Sequence, residues 1–260
     1  MVSLNIMSDL HLISPTIISK QTADVTILAG DCGESPSTTM EYAKASVPNA
    51  KNIIQVPGNH DFIGETYDDA IKIMKSQQTD THRLLENDIH YILDKDIPLR
   101  FIGGTLWTDF HLDKNFMNEH RNRIEDFYRI KNFSPEEWLK RHQITKEFFF
   151  DTLNTSFNGA SIIVHHHLTG MKSVHEFFYS HPRTPAYVPS DMEKIYTHPK
   201  CSLIVHGHTH NSIVWRENKK SPLVVCNPYG NQYDYNNSSL NEEFDPNLIV
   251  TIKDDLKAII

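Results

Sequence analysis

Glycine supplies only 10 of the 260 residues, cysteine only 3, and no apolar run approaches the roughly 20 residues needed to span a bilayer. Cys32, Cys201 and Cys226 form no CxxC pair, and an odd number gives no disulfide framework. A reducing compartment is the simplest setting. The opening stretch MVSLNIMSDLHL has no basic segment ahead of an apolar one, and Asp9 and His11 interrupt it, which does not fit a secretory leader. A soluble, cytoplasmic protein with no membrane partner is expected. Positive charge is also short: 25 Lys and Arg stand against 33 Asp and Glu, a net charge of -8. Such a surface disfavours extended nucleic acid and anionic membranes. It does not disfavour a phosphorylated substrate, because metal ions can reverse the local field in a cleft. With 39% hydrophobic and 22% charged residues, the chain does not fit a disordered or fibrous class.

What the chain does have is histidine, 16 residues of it, gathered beside Asp, Asn and Gly. VSLNIM, ADVTILAG and KNIIQVPG read as short buried strands, and STTMEYAKAS and TYDDAIKIMKSQQ between them have helical spacing. PLRFIGGTLW, GASIIVHHH and CSLIVHGHTHN continue the strands. NSIVWREN and PLVVCNPYG suggest a hairpin across Lys219, Lys220 and Ser221, and NLIVTIKDDLKAII a last strand. Residues 111–150 are charged and aromatic and read as two helices, the second capped by Ser134 with Pro135 and Glu137 behind it. These helices suit either a rim over a site or ordinary cover. No linker or repeat divides the chain, so residues 1–260 are expected to form one α/β domain.

Polar chemistry follows the strands. Asp9-x-His11, Gly30-Asp31, Gly58-Asn59-His60-Asp61, His165-His166-His167 and Gly207-His208-Thr209-His210 each stand at a strand exit. In open α/β sheets, sites form beyond the carboxyl ends of strands. Carboxylate oxygen with imidazole nitrogen suits Mn, Fe or Zn better than Ca or Mg. Residues two apart on extended chain face the same way, so Asp9 with His11, and His208 with His210, can share a cleft. By the same alternation the three consecutive histidines cannot all serve. Each cluster also has a plain reading: Asp31 as a helix cap, Asn59 as a turn former, a lone histidine as a hydrogen-bonded surface group. Five such clusters in one chain are harder to explain as turns. Gly30, Gly33, Gly58 and Gly207, four of the ten glycines, fall within them.

In this order the clusters resemble the calcineurin-like metallophosphoesterases, whose pattern is DxH, GD, GNH with an acid, a histidine after an apolar strand, then GHxH. The resemblance runs from about residue 3 to residue 230. It implies a four-layer αββα sandwich, two mixed β-sheets packed together with helices outside. It also implies two divalent transition metals, Mn, Fe or Zn, that activate water against a phosphate ester. Asp9, His11, Asp31 and His210 would hold the first metal. Asp31, Asn59, one histidine of 165–167 and His208 would hold the second, with Asp31 shared. Aligning VHHHLT with the family favours His166, or His165 if the strand ends one residue earlier. His60 would protonate the leaving group, oriented by Asp61, and His206 would be structural.

The expected partner is a phosphate-ester substrate, with a slight preference for a phosphomonoester. Cyclic nucleotides or nucleic acid within the same fold are the alternative, and a non-catalytic metal-binding protein is a third class. Arg121, Arg123, Arg129 and Lys131, interleaved with Glu119, Glu125 and Asp126, read as a solvated helix face. Tyr187, Tyr229 and Tyr233 are candidates to line a pocket.

Overall fold

A computed structural model describes residues 1–176, 179–181, 184–231 and 240–260. In chain order the elements are β1 (Val2–Met7), β2 (Val25–Ala29), α1 (Thr39–Ser46), β3 (Ile53–Val56), α2 (Tyr67–Ser76), β4 (His82–Leu84), β5 (Asp88–Ile92) and β6 (Leu99–Gly104). Then come α3 (Lys114–His120), α4 (Asp126–Arg129), α5 (Pro135–Asn154), β7 (Ala160–His165), β8 (Leu203–Val205), β9 (Ile213–Trp215), β10 (Leu223–Cys226), β11 (Ile249–Ile252) and β12 (Ala258–Ile259).

Two mixed sheets form. The first runs β12-β11-β1-β2-β3-β4, the second β5-β6-β7-β8-β10-β9. Alternation along the strands explains why they stack. Leu4, Ile6, Val25, Ile27, Ile54 and Val56 of the first sheet meet Leu99, Phe101, Ile162, Val164, Leu203 and Val205 of the second in one buried cluster. The opposite faces take the helices. Met7, Leu28 and Ile53 pack with Ala43 of α1 and the neighbouring Val47. Ile102, Ile163 and Ile204 pack with Phe149 and Leu153 of α5. The result is the expected αββα order of layers.

Local chemistry accounts for the helix starts. Thr66 accepts from the Asp69 amide at the head of α2, and Ser134 from the Glu137 amide at the head of α5, with Pro135 in the first turn. β9 and β10 form the expected hairpin, and the last segment makes two strands, β11 and β12, rather than one. Residues 111–150 hold three helices rather than two, because the stretch ahead of Ser134 divides into α3 and α4 at residues 121–125; Asn132, in left-handed backbone at φ 56, then separates α4 from α5. They are not merely a solvated face. Phe110, Phe116, Ile124 and Trp138 join Phe62, Tyr67 and Trp107 in an aromatic core. Among the described residues no helix is long and apolar enough to cross a membrane.

β1, β2, β3 and β4 run parallel, as do β6, β7, β8 and β10. The loops that leave β1, β2, β3, β7 and β8 therefore converge on one edge of the sandwich.

Candidate metal centre

At that edge the backbone does something the strand pattern does not foretell. Asp9, His11, Asp31, His208 and His210 all lie in left-handed backbone, at φ 51, 45, 53, 72 and 49. Asp, Asn and His enter this region more readily than other side-chain residues, yet each non-glycine case costs about 1–3 kcal/mol. The expectation that Asp9 and His11, or His208 and His210, face together by pleat alternation is thus corrected: tight loops aim them. Interlocking hydrogen bonds hold those loops. The Asp9 amide donates to Gly30 O at 3.0 Å, the His11 amide to Asp31 O at 2.9 Å and the Gly207 amide to His166 O at 3.1 Å.

The glycines make room for side chains. A Cβ on Gly58 would lie 2.0 Å from Asp31 Oδ1, and one on Gly30 2.3 Å from His166 Nδ1. At Gly207 it would lie 2.8 Å from Asp9 Oδ2. Only Gly30 of these three also needs its positive φ, +90.

Two donor groups result. In the first, Asp9, His11 and His210 bring ligand atoms within 4.8 Å of one another, with His11 Nε2 3.2 Å from His210 Nε2 and His210 Nε2 3.6 Å from Asp9 Oδ1. In the second, His166 Nε2 lies 3.2 Å from Asp31 Oδ2, 3.2 Å from Asn59 Oδ1 and 3.2 Å from His208 Nδ1. Asp31 Oδ2 is also 3.7 Å from His11 Nε2, so this carboxylate stands between the groups. Within the histidine triplet, His166 is the one that points here. His165, the last residue of β7, turns its Nδ1 to His167 O and stacks on His206.

The chemistry of these atoms fits cations. His166 Nδ1 faces Ala29 O at 2.9 Å and donates to it, so Nε2 is the atom that meets the site. Burial opposes charge on this ring, but Asp31 raises its pKa to about 9, and a cation would take the place of the Nε2 proton. His11 Nδ1 likewise faces Glu34 Oε1 at 2.9 Å. The two Nε2 atoms therefore meet a field of further acceptors: carboxylates, the Asn59 oxygen and other imidazoles. Asp9 Oδ2 is buried with no hydrogen-bond partner among the described residues. Acceptors converging on acceptors need a positive charge between them, and a nitrogen-oxygen set suits Mn, Fe or Zn. Burial and neighbouring histidines hold His208 well below its ordinary pKa, and burial lowers His210 too, so both stay neutral as ligation requires. Asp31 stays ionised: burial opposes its charge, but His166 and His60 beside it outweigh that.

One expected role moves. Asp61 does not orient His60. Its carboxylate accepts from the amides of Asp31 at 3.0 Å, Gly33 at 3.1 Å and Gly58 at 2.9 Å, and from Thr39 Oγ1 at 2.6 Å. It ties the β2 and β3 exits together, and burial with the nearby Asp31 raises its pKa to about 6. The acid that faces His60 is Glu34, 2.9 Å from Nδ1. Burial opposes charge on His60, yet Asp31 and Glu34 outweigh it and raise its pKa to about 10. Burial also opposes charge on Glu34, and hydrogen bonds from His11 and His60 bring its pKa down to about 2. The signal for Glu34 was an acid three residues past Asp31.

Nothing in the local sequence signalled Asp126, which accepts from Asn59 Nδ2 at 2.9 Å, or Arg129, whose guanidinium reaches Glu34 at 3.4 Å. Both come from α4, so that part of the helical segment is a wall of the site. Arg121 and Arg123 remain exposed, and Lys131 pairs with Glu65. His206 is buried and bonded to Gly207 O and Ser173 Oγ, with burial lowering its pKa to about 4. Tyr187 lies beside the His208 ring, Tyr229 packs on Phe244, and Tyr233 lies outside the described residues. A separate Asp109, His142 and Asp191 group already contains a cation, since Lys146 Nζ is 2.5 Å from Asp191 Oδ2.

Residues 5–212 match the family described as calcineurin-like phosphoesterase. The chain belongs to that family. No curated sequence matches it. Among solved structures it is similar to phosphopantetheinyl hydrolase from Mycobacterium tuberculosis, with TM-score 0.68, 14% identity, and coverage of 87% of this chain and 88% of that one. It is also similar to a 5'-nucleotidase-like protein from Staphylococcus aureus, with TM-score 0.49, 12% identity, and coverage of 98% of this chain and 52% of that one. The first likeness supports the fold of this calcineurin-like phosphoesterase. Membership of the family makes the chain a hydrolase of phosphoesters by class.

Proposed function

We propose that the protein is a dinuclear metal-dependent phosphohydrolase, acting by preference on a small phosphomonoester. The observation that carries this reading is the pair of donor groups sharing Asp31, with His60 beside them. Asp9, His11 and His210 would hold one cation; Asn59, His166 and His208 the other; Asp31 both, because a carboxylate has two oxygens to offer. When bound, two divalent cations supply Lewis acidity for the phosphoryl oxygens and lower the pKa of a water for attack.

The chain's own residues do the rest. Ala29 O and Glu34 fix the His166 and His11 rings, so that each presents Nε2. Asp61 braces the Asp31 and Gly58 loops. Glu34 engages His60 Nδ1 and leaves Nε2 to give a proton to the departing oxygen. Two divalent cations set against Asp9 and Asp31 leave an excess of two positive charges. That matches the dianion of a monoester better than the monoanion of a diester. The net charge of -8 argues against a long polyanion.

His60→Gln tests the proton donor. Turnover of an alkyl phosphate, a poor leaving group, should fall roughly 100-fold or more, and that of p-nitrophenyl phosphate much less. Equal losses would remove His60 from that role. A screen in which cyclic nucleotides or dinucleotides turn over faster than every monoester would reverse the substrate preference.

A further inference from the structure

The four residues of α4 touch the centre twice, and the segment that carries them is laced to the loop after β3. Gly64 N donates to Arg129 O at 2.9 Å, and Lys131 N to Glu65 O at 2.9 Å. Thr66 and Lys131 form an isolated bridge, and Lys131 Nζ pairs with Glu65 at 3.1 Å. The side of α4 that faces the site is therefore set by backbone bonds, independent of the Asp126 side chain. Across this seam Asp126 Oδ1 accepts from Asn59 Nδ2 at 2.9 Å, while Asn59 Oδ1 points to His166 Nε2 at 3.2 Å.

An asparagine amide has two ends of nearly the same shape and opposite chemistry: an oxygen that can bind a cation and an NH2 that repels one. Nothing in the amide itself decides which end faces the centre. An ionised carboxylate, which only accepts, does decide it. We infer that Asp126 is the positioning residue for the second cation: it captures the Asn59 NH2 group and thereby commits Asn59 Oδ1 to the site. This inference rests on the two-cation reading and deepens it. It gives the helical segment a task in assembling the centre, from a position 67 residues along the chain from Asn59.

Asp126 acts through Asn59, and its signature is therefore in metal affinity rather than in chemistry alone. Partners of this kind typically change affinity by about 10–100-fold. The test is calorimetric titration of metal-stripped protein with Mn, for wild type and three variants. Wild type should take two ions. Asp126→Ala should keep the first and lose roughly 10-fold or more in affinity for the second. Asp126→Asn keeps the shape but can present either its oxygen or its NH2 group to Asn59, and should recover only part of that loss. Tyr128→Ala perturbs the same helix at a side chain that is 65% exposed, and should bind both ions as wild type does.

If Asp126→Ala takes the second ion with wild-type affinity, the positioning role is overturned. The same holds if Tyr128→Ala loses that ion equally, since the effect then belongs to the helix. Full recovery in Asp126→Asn would likewise overturn it, since a two-ended amide does not commit Asn59 to one orientation. Wild type binding a single ion overturns the two-cation reading itself, and is distinguishable from all of these.

Discussion

The two sheets bring different chemistry to the same edge. The loops after β1, β2 and β3 supply the carboxylates Asp9, Asp31, Glu34 and Asp61, along with Asn59, His11 and His60. Those after β7 and β8 supply only imidazoles, His166, His208 and His210. The first wall is negative and its acids are held by amides: Asp9 by the His208 amide at 2.8 Å, Asp31 by the His60 amide at 2.9 Å, and Asp61 by three amides. In the second wall burial keeps His208 and His210 neutral, whereas Asp31 raises the pKa of His166 to about 9, so that a cation there would take the place of a proton. Neither wall is a complete site. The anionic wall sets how much positive charge the edge demands, and the imidazole wall supplies further ligands without adding negative charge.

That contrast predicts unequal losses. Asp31→Asn removes the shared ligand and should abolish binding of both ions, with turnover down on the order of 100-fold or more. His166→Gln should cost the second ion and spare the first. Metal content of the purified variants separates the cases. Equal losses from the two changes would erase the distinction between the walls.

A steric break comes next. Gly58→Ala puts a methyl 2.0 Å from Asp31 Oδ1 and 2.5 Å from Asp31 N. The loop must move, and occupancy of both ions should fall by roughly 10-fold or more. Gly64→Ala is the control, since nothing lies within 4 Å of its added carbon although its φ is +87. It should cost about 1 kcal/mol of stability and leave metal content intact. Thermal melts and elemental analysis of the pair distinguish strain from obstruction.

The smallest effect concerns protonation on the first wall. Asp31 and Glu34 raise the His60 pKa against burial, to about 10 before cations offset Asp31. A proton donor with a raised pKa is active below that value and lost as pH rises through it. Glu34→Gln removes one of the charges that raise it. The alkaline limb of kcat should therefore move to lower pH, by roughly one unit or more. An unmoved limb would assign it to another group.

Much of this was legible in the sequence, and the failures share a cause. Strand exits, the αββα layers and the order of donor clusters follow from apolar alternation and from residue types that suit turns and cations alike. The aiming of Asp9, His11, His208 and His210 was misread, because alternation holds on a strand and these residues sit in left-handed loops. Glu34 stood within reach of the pattern. Asp126 and Arg129 did not, since their place depends on how α4 packs against the loop after β3, and their charges look like any exposed helix. The resemblance paired Asp61 with His60, whereas the turn sends the Asp61 carboxylate back to the β2 exit.

The central claim is that the two walls are joined by two cations sharing Asp31. Elemental analysis of Mn-loaded, desalted wild-type protein tests it most directly. Two ions per chain in wild type, falling to none in Asp31→Asn, is the predicted result. One ion or fewer in wild type, or two retained without the Asp31 carboxylate, would contradict it.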